Sequence, residues 1–256
     1  VAVSGGPDSM ALAILSFIYG KEKKSKVYFV HIDHRIRKNS FKESIKVKKL
    51  LKKKKINLRI LINKKKINKN IQKNARDIRY NLLQNFCKKN RIKFILTGHH
   101  SDDQIETFLI RLSRGSGVQG LSSMSKESKL EKNQMLMRPF LGIQKKQLSL
   151  IAKMVFGSYL KDPSNTDEKY LRTKIRKLKN LFETSGISHN QIMRSISNLA
   201  STKKTLDIFL GRFIKENIKI NNKKIFIKTN NFLVEPYELK LKIMNYSLKK
   251  ISKAYY

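Results

Sequence analysis

The segment at residues 4–9 limits the possible folds of this chain more than any other. It reads Ser-Gly-Gly-Pro-Asp-Ser, after the apolar residues 1–3 and before the helix-like run 10–19. This order predicts a short strand, a glycine turn and the first turn of a helix. Glycines let the backbone approach an anion closely, and the unpaired N–H groups and the dipole of a helix N-terminus favour a phosphate. We therefore expect a nucleotide-phosphate loop formed by Ser4, Gly5, Gly6, Pro7, Asp8 and Ser9.

A carboxylate within such a loop indicates a divalent cation. Asp8 is favourable beside phosphates chiefly when Mg²⁺ lies between them, whereas a plain helix N-cap would need only a single Asp or Ser. The segment lacks the lysine and the spacing of a Walker loop. It resembles the pyrophosphate loop of the adenylating ATP pyrophosphatases, which cleave ATP between its α- and β-phosphates and include synthetases and tRNA-modifying enzymes. The resemblance implies ATP and Mg²⁺ as cofactors.

The charge of the chain favours a polyanionic partner. Lys and Arg number 57 against 18 Asp and Glu, which gives a formal net charge of +39, and such a field attracts nucleic acid. The alternative is a compositional bias toward lysine, which would make runs such as residues 52–55 ordinary solvated surface. The single cysteine, Cys87, excludes a disulfide framework and favours a reducing compartment. Because no apolar run reaches about 18 residues, we expect a cytoplasmic protein without a membrane partner.

Alternating strand-like and helix-like stretches predict an α/β fold. This alternation is typical of a parallel sheet covered by helices, and the resemblance implies a doubly wound, mostly parallel sheet of the adenine nucleotide α-hydrolase type. Ser40 and Glu43 predict a capping box at the start of one helix. The strand-like runs are residues 1–4, 27–32, 56–62 and 94–97.

Three parts of the chain are expected. Residues 1–182 are interpreted as the ATP-binding catalytic domain and residues 183–216 as a helical linker. Residues 217–256, which contain a basic hairpin-like run and a helix, are interpreted as the start of a truncated tRNA-binding or accessory domain. The chain begins inside a predicted strand and without Met, so we expect residues to be missing at both ends.

Two clusters rich in histidine and aspartate follow predicted strands. They are residues 31–37, His-Ile-Asp-His-Arg-Ile-Arg, and residues 98–107, Gly-His-His-Ser-Asp-Asp-Gln-Ile-Glu-Thr. In a doubly wound sheet the carboxyl ends of the strands build the ligand site. Each cluster alone has a plainer interpretation, because His31 could close a strand and Asp102 could be an N-cap. Together, around a phosphate loop, they favour a catalytic site.

The order of these segments is similar to that of bacterial tRNA(Ile)-lysidine synthetases. The similarity is dense over residues 1 to about 180 and weak beyond. Residues 172–176 depart from the family, since they read Arg-Thr-Lys-Ile-Arg where members usually have Arg-Asn-Arg-Ile-Arg, and members usually continue well beyond the length of this chain. The matching segments are residues 4–9, 31–37, 70–80, 97–107, 114–117 and 162–165.

The resemblance implies a reaction in two steps. ATP adenylates the C2 oxygen of the wobble cytidine in a tRNA(Ile) with a CAU anticodon, and the amine of free L-lysine then attacks C2 and displaces AMP. In this interpretation Asp8 with Asp102 or Asp103 holds Mg²⁺. Asp103 with Glu106 holds the lysine, although Glu106 could instead pair with a lysine of the protein. The implied catalytic residues are Asp8, Arg79, Asp103, Glu106, Arg172 and Arg176, and the implied nucleotide-binding residues outside the loop are His31, Asp33, Gly98 and His99.

Other functions stay open from the residues alone. A tRNA thiolase would need more cysteines than Cys87, and an amidotransferase-type synthetase would need a glutaminase nucleophile. A metal-dependent phosphoesterase is a second class, and a non-catalytic RNA-binding relic of the enzyme is a third. A homodimer and a bacterial or organellar origin are also open. The phosphoesterase would use Asp8, Asp33, His99, Asp102 and Asp103 as metal ligands.

Overall fold

A computed structural model describes residues 1–36, 39–64, 71–130, 133–160, 171–221 and 224–251 of the chain. Ten helices and seven strands lie within these ranges. The helices are α1 (Pro7–Glu22), α2 (Ser40–Lys52), α3 (Ile71–Lys89), α4 (Ser101–Leu112), α5 (Val118–Leu121), α6 (Lys145–Phe156), α7 (Leu171–Thr184), α8 (His189–Asn217), α9 (Thr229–Leu233) and α10 (Tyr237–Ile251). The strands are β1 (Phe29–Asp33), β2 (Leu58–Ile62), β3 (Phe94–Leu96), β4 (Glu127–Lys129), β5 (Met135–Met137), β6 (Ile218–Asn221) and β7 (Lys224–Ile227).

The first three residues connect two pieces of one central sheet. Strands β1 and β2 are parallel, and β3 pairs in parallel with β5, which carries β4 antiparallel at its edge. Between these pieces, Ala2 N donates to Leu96 O at 2.9 Å and Val3 N donates to Val30 O at 2.8 Å. The order across the sheet is therefore β2, β1, residues 1–3, β3, β5, β4, and the chain winds to opposite sides of residues 1–3. This reversal confirms the doubly wound fold and creates a crevice at the carboxyl ends of the strands.

Both faces of the sheet are covered by helices. Phe29 and Val30 are neighbours on β1, so their side chains point to opposite faces, and each joins a different buried cluster. On the Phe29 face lie Val47 of α2 and Ala152 of α6, while the Val30 face is covered by Leu83 of α3. Two packed layers on a mainly parallel sheet are the arrangement that alternating strands and helices favour.

The predicted capping box at Ser40 is wrong. Asn39 is the N-cap of α2, Ser40 is the first helical residue, and no side-chain hydrogen bond caps this end. The hydroxyl of Ser44, one turn along, lies 2.9 Å from Ser40 O and 2.9 Å from the ring of His31. Ser44 therefore connects α2 to His31 of β1, a contact that local sequence preference did not reveal.

The predicted hairpin and helices beyond residue 182 are present. β6 and β7 pair antiparallel, and the residues between them, 222–223, lie outside the described residues. Phe213 of α8 packs with Leu239 and Ile243 of α10 in a small separate core. The three predicted parts of the chain stay a prediction. No helix among the described residues is long and apolar enough to cross a membrane.

Gly98→Ala tests the packing of β3 against the start of α1. A Cβ at Gly98 would lie 3.0 Å from the carbonyl carbon of Asp8 and 3.1 Å from Ser9 N. Because both atoms belong to the backbone of a helix, we expect the substitution to destabilise the protein by roughly 1–3 kcal/mol and to lower its Tm in a circular dichroism melt. Gly211→Ala is the control, since its Cβ would meet nothing within 4 Å and alanine favours the helix by about 0.5–1 kcal/mol. Equal Tm values for the two variants would contradict this packing.

Candidate functional site

Ser9 holds the phosphate loop together from inside. Its buried Oγ accepts hydrogen bonds from Ser4 N and Gly5 N, both at 3.1 Å, and donates to Gly6 O at 2.9 Å. The hydroxyl of Ser9 is thus directed at the loop itself, whereas Ser4 is exposed at the mouth of the loop. The sequence analysis placed both serines in the phosphate loop, and here the hydroxyl of Ser4 also donates to Ser9 Oγ, at 3.1 Å.

Gly5 is required by the conformation of the loop. Its φ is +94°, and a Cβ there would lie 2.6 Å from Val47 Cγ2 and 2.9 Å from Leu160 Cδ1. Gly6 is the N-cap of α1, Pro7 follows as the first helical residue, and no side chain caps the first turn. The first-turn N–H groups therefore point into the crevice, where an anion would compensate them.

Asp8 lies in this first turn with one oxygen lacking a partner. Its Oδ1 is buried and makes no hydrogen bond to the described residues. A buried carboxylate oxygen beside N–H groups that favour phosphate fits a Mg²⁺–nucleotide complex, because Mg²⁺ is commonly bound by one or two carboxylates together with phosphate oxygens. Of the predicted metal ligands, Asp8 is the one best placed for this role.

The N-terminus of α4 brings three carboxylates around one imidazole. His100 is 3 % exposed, and its Nε2 lies 3.5 Å from Asp8 Oδ2 and 3.5 Å from Asp103 Oδ2. Its Nδ1 lies 3.6 Å from Asp102 Oδ2. Burial opposes protonation, but the hydrogen bond to Asp8 and the charges of Asp103, Asp8 and Asp102 raise the pKa of His100 above its ordinary value.

This arrangement does not support a metal site made of Asp8, Asp102 and Asp103 together. Asp102 Oδ2 accepts a hydrogen bond from Lys145 N at 3.0 Å, so Asp102 stabilises the start of α6. Across the described ranges, no group of three or more His, Cys, Asp or Glu side chains is arranged to hold a metal ion.

Glu106 and Arg176 form a bidentate ion pair. Arg176 Nε donates to Glu106 Oε1 at 2.6 Å and Arg176 Nη2 donates to Oε2 at 3.3 Å, while Arg172 Nε lies 3.8 Å from Oε2. The carboxylate is 7 % exposed. Burial opposes the charge of Arg176, yet the pKa of this guanidinium is raised by Glu106. The partner of Glu106 is therefore an arginine that was itself predicted to be catalytic, and not a lysine of the protein.

A cavity of about 70 Å³ lies beside this pair, between α4, α7 and α8. Its wall is mostly aliphatic. The polar groups that reach it belong to Asp102, Glu106, Arg176, Glu183 and His189. His189 was not predicted, and its Nε2 lies 3.0 Å from the hydroxyl of Ser101. The apolar residues of the wall are Ile105, Leu109, Ile175, Phe182, Ile187 and Ile192.

His31 of β1 forms hydrogen bonds that connect parts of the fold. His31 Nδ1 lies 2.8 Å from Val3 O and Nε2 lies 2.9 Å from Ser44 Oγ. Since a carbonyl only accepts, Nδ1 carries the proton toward Val3 O, while the hydroxyl of Ser44 donates its own proton to Ser40 O. Burial lowers the pKa of His31, which opposes a positive charge on this ring. Both nitrogens thus connect residues 1–3 and α2, so the prediction that His31 binds nucleotide has no support in this geometry.

Two more polar side chains, Asp33 and His34, lie at the carboxyl end of β1. Asp33 is 1 % exposed; its Oδ1 accepts from Arg35 N at 2.9 Å, and its Oδ2 has no hydrogen bond among the described residues. His34 Nδ1 is likewise buried without such a partner. Burial and the positive charge of Arg79 lower the pKa of His34 to about 4. Arg79 therefore lies close enough to His34 to oppose its protonation.

His99 lies on the other side of the crevice, after β3. Its Nδ1 is 2.9 Å from Thr97 Oγ1. Burial and the charges of Arg138, Arg76 and Arg172 lower the pKa of His99 to about 4, although Asp103 opposes the shift. Arg138 was missed by the sequence analysis because the three-residue strand β5 before it was not recognised. It is buried and donates to Ser125 O at 2.8 Å and to Ser128 Oγ at 2.9 Å.

Two further segments that match the family, residues 114–117 and 162–165, have different outcomes. The glycine-rich residues 115–120 follow α4, and Arg111 Nη1 donates to Gly120 O at 2.7 Å and to Ser123 O at 3.0 Å. These bonds fix the loop to the helix that carries Asp103 and Glu106. Residues 162–165 lie outside the described residues.

Comparisons with known proteins agree with the predicted resemblance. The tRNA(Ile)-lysidine synthase of Wolbachia pipientis wMel is 35% identical over 260 residues, which cover 100% of this chain and 60% of that protein. The tRNA(Ile)-lysidine synthase of Orientia tsutsugamushi is 38% identical over 179 residues, covering 70% of this chain and 40% of that protein. The chain thus spans about 60% or less of the length of these curated relatives.

A solved structure has the same fold. The U34-tRNA thiolase NcsA from Methanococcus maripaludis, with its [4Fe-4S] cluster, superimposes with a TM-score of 0.66 at 20% identity, over 78% of this chain and 70% of that chain. This likeness concerns the fold alone. A family model described as PP-loop domain matches residues 1–182, and the chain therefore belongs to the PP-loop domain family.

Proposed function

We propose that this chain carries the ATP-binding and catalytic part of a tRNA(Ile)-lysidine synthetase. The reaction adenylates the C2 oxygen of the wobble cytidine in a tRNA(Ile) with a CAU anticodon, joins L-lysine to C2, and releases pyrophosphate and AMP. The observation that carries the proposal is the uncapped N-terminus of α1, which faces a crevice lined by Asp8, Asp103 and Gly98. The similarity of the chain to tRNA(Ile)-lysidine synthases supports it.

The first step requires the pyrophosphate to leave from the α-phosphate. The N–H groups of the Ser4–Ser9 loop and of the first turn of α1 would stabilise the charge that develops on the leaving group. Bound Mg²⁺ would supply further neutralisation of the phosphate oxygens, with Asp8 as its protein ligand. Arg79 and Arg172, exposed on either side of the crevice, would neutralise the adenylate or contact the tRNA.

The second step requires the amine of lysine beside C2 of the activated base. Asp103, which lies on α4 one turn before Glu106, would bind this amine and orient it. Because Glu106 is already paired with Arg176, its role would be to fix α7 against α4 and complete the wall of the lysine site. The cavity beside this pair has aliphatic walls and polar groups at its edge, which suits the hydrocarbon stem of a lysine.

The net charge of the chain supports a tRNA as the second substrate. The formal net charge of +39 favours the binding of a tRNA backbone, and a tRNA substrate places the proposed reaction in the cytoplasm. A thiolase is disfavoured, because Cys87 is the single cysteine of the chain and is buried in the core with Leu83 and Ile95. Residues 1–182 would form the catalytic domain in this proposal.

The reaction itself is the first test. The chain incubated with ATP, Mg²⁺, L-lysine and an isoleucine tRNA bearing CAU is expected to convert the wobble cytidine to lysidine, detected by mass spectrometry of the nucleosides. Mixtures lacking ATP or lysine serve as controls. Release of inorganic phosphate without tRNA, with the cytidine unchanged, would argue for a phosphoesterase and against the synthetase.

Asp103→Asn separates the two steps. We expect lysine incorporation to fall at least 100-fold, because the amine loses its charged partner, while ATP affinity changes little. The measurements are lysidine formation and nucleotide titration calorimetry. Asp207→Asn is the matched control, since Asp207 pairs with Lys242 far from the crevice. Equal turnover by the Asp103 variant and this control would remove the proposed role of Asp103.

A double-mutant cycle tests the Glu106–Arg176 pair. Arg176→Gln leaves a buried carboxylate without its partner and should cost roughly 2–3 kcal/mol of stability. Adding Glu106→Gln removes that charge, so the double variant should unfold at a higher Tm than the Arg176 variant alone. Additive losses in a thermal melt would show that the two side chains are not coupled.

A further inference from the structure

His100 is a buried group that the sequence analysis did not assign to the site. It precedes the first residue of α4, and its ring lies within 3.6 Å of carboxylate oxygens on Asp8, Asp102 and Asp103. Two of these carboxylates, Asp8 and Asp103, carry the proposed steps of the reaction. One imidazole nitrogen, Nε2, faces both of them, while Nδ1 faces Asp102.

The contact between His100 and Asp8 determines whether the N–H groups at the start of α1 are free to bind a phosphate. A carboxylate in the first turn of a helix readily turns back onto the unpaired N–H groups there, because such bonds stabilise the helix end. In this chain no side chain caps α1. Asp8 Oδ2 is directed at His100 Nε2 and Oδ1 is left without a partner among the described residues. The N–H groups of α1 therefore stay open for an anion.

The contact to Asp103 fixes the second carboxylate from two directions. Asp103 Oδ2 accepts a hydrogen bond from the backbone N of His100 at 3.1 Å and lies 3.5 Å from its Nε2. A carboxylate bound by both the backbone and the ring of one residue has little rotational freedom. Its orientation toward the crevice is thus coupled to that of Asp8.

We propose that His100 is a positioning residue, which through Nε2 holds Asp8 away from the α1 N-terminus and orients Asp103 in the crevice. The inference rests on the proposed function, because that function assigns Asp8 to Mg²⁺ binding and Asp103 to lysine binding. His100 touches neither the nucleotide nor the reacting atoms in this account. It keeps the phosphate site open and the carboxylates preorganised before the substrates bind.

The alternative is that His100 serves only to start α4. The two roles predict opposite results for two amide substitutions. The amide nitrogen of glutamine can reach the position of imidazole Nε2, whereas that of asparagine reaches the position of Nδ1. Asparagine is also among the best N-cap residues. If His100 only caps α4, His100→Asn should preserve nucleotide binding better than His100→Gln. If His100 positions the carboxylates, His100→Gln should preserve it better.

The test measures binding of the non-hydrolysable probe adenosine 5′-(α,β-methylene)triphosphate by calorimetry, with Mg²⁺ and with EDTA. His100→Asn is expected to bind the probe roughly tenfold more weakly than the unmodified chain, as expected for loss of a hydrogen bond to a charged group. The loss should persist in EDTA, because Asp8 then competes for the N–H groups. His100→Gln should stay within about threefold of the unmodified chain. Circular dichroism melts confirm that both variants fold.

Each outcome supports or overturns the positioning role of His100. Equal affinities of the two variants, or weaker binding by His100→Gln, would overturn the positioning role, even if the unmodified chain forms lysidine. If the predicted order is found but no lysidine forms, His100 keeps its role and the proposed substrate fails. If the unmodified chain does not bind the probe, both proposals are overturned. Should His100→Asn fail to fold, binding by His100→Gln more than tenfold weaker than that of the unmodified chain would be sufficient to reject the proposal.

Discussion

The site depends on compensation of the negative charge of four carboxylates at one edge of the sheet. Buried or half-buried carboxylates repel one another and lose hydration, so each needs a positive or hydrogen-bonding partner. The partners come from three parts of the fold, the start of α4, the start of α6 and α7, and they link these helices and the loop to a single site. Asp8 faces His100, Asp103 accepts from the backbone N of His100, Asp102 accepts from Lys145 N, and Glu106 pairs with Arg176.

The shape of the phosphate loop is maintained by uncharged groups. Ser9 fills the inside of the loop with one hydroxyl that bonds three backbone groups, and Gly98 allows β3 to lie against the first turn of α1. The loop therefore keeps its shape without help from a ligand. A phosphate would meet N–H groups already in place, and such preorganisation reduces the entropy lost on binding.

The sequence predicted the fold and the place of the site because both follow from local patterns. Alternating strand-like and helix-like runs predict a parallel sheet, and polar clusters at strand ends predict its crevice. What it missed depends on distant contacts. His31 looked like a ligand, yet its two partners, Val3 and Ser44, are brought to it only by the folded sheet and α2. Arg138 was missed since β5 is too short to recognise by periodicity. His100 was missed because only the fold brings Asp8 to the ring that its sequence neighbours Asp102 and Asp103 also face.

The helices after the sheet are part of the site as much as the strands are. Arg176 of α7 reaches Glu106, and His189, the first residue of α8, bonds Ser101 at the start of α4. Ser101 in turn donates to Ile143 O at 2.9 Å, so its own proton is used and His189 Nε2 must be the donor toward it. A segment that reads as a polar linker therefore contacts the helix carrying Asp103. The start of α4 is therefore held by α8 on one side, through His189, and by the backbone before α6 on the other, through Ile143 O.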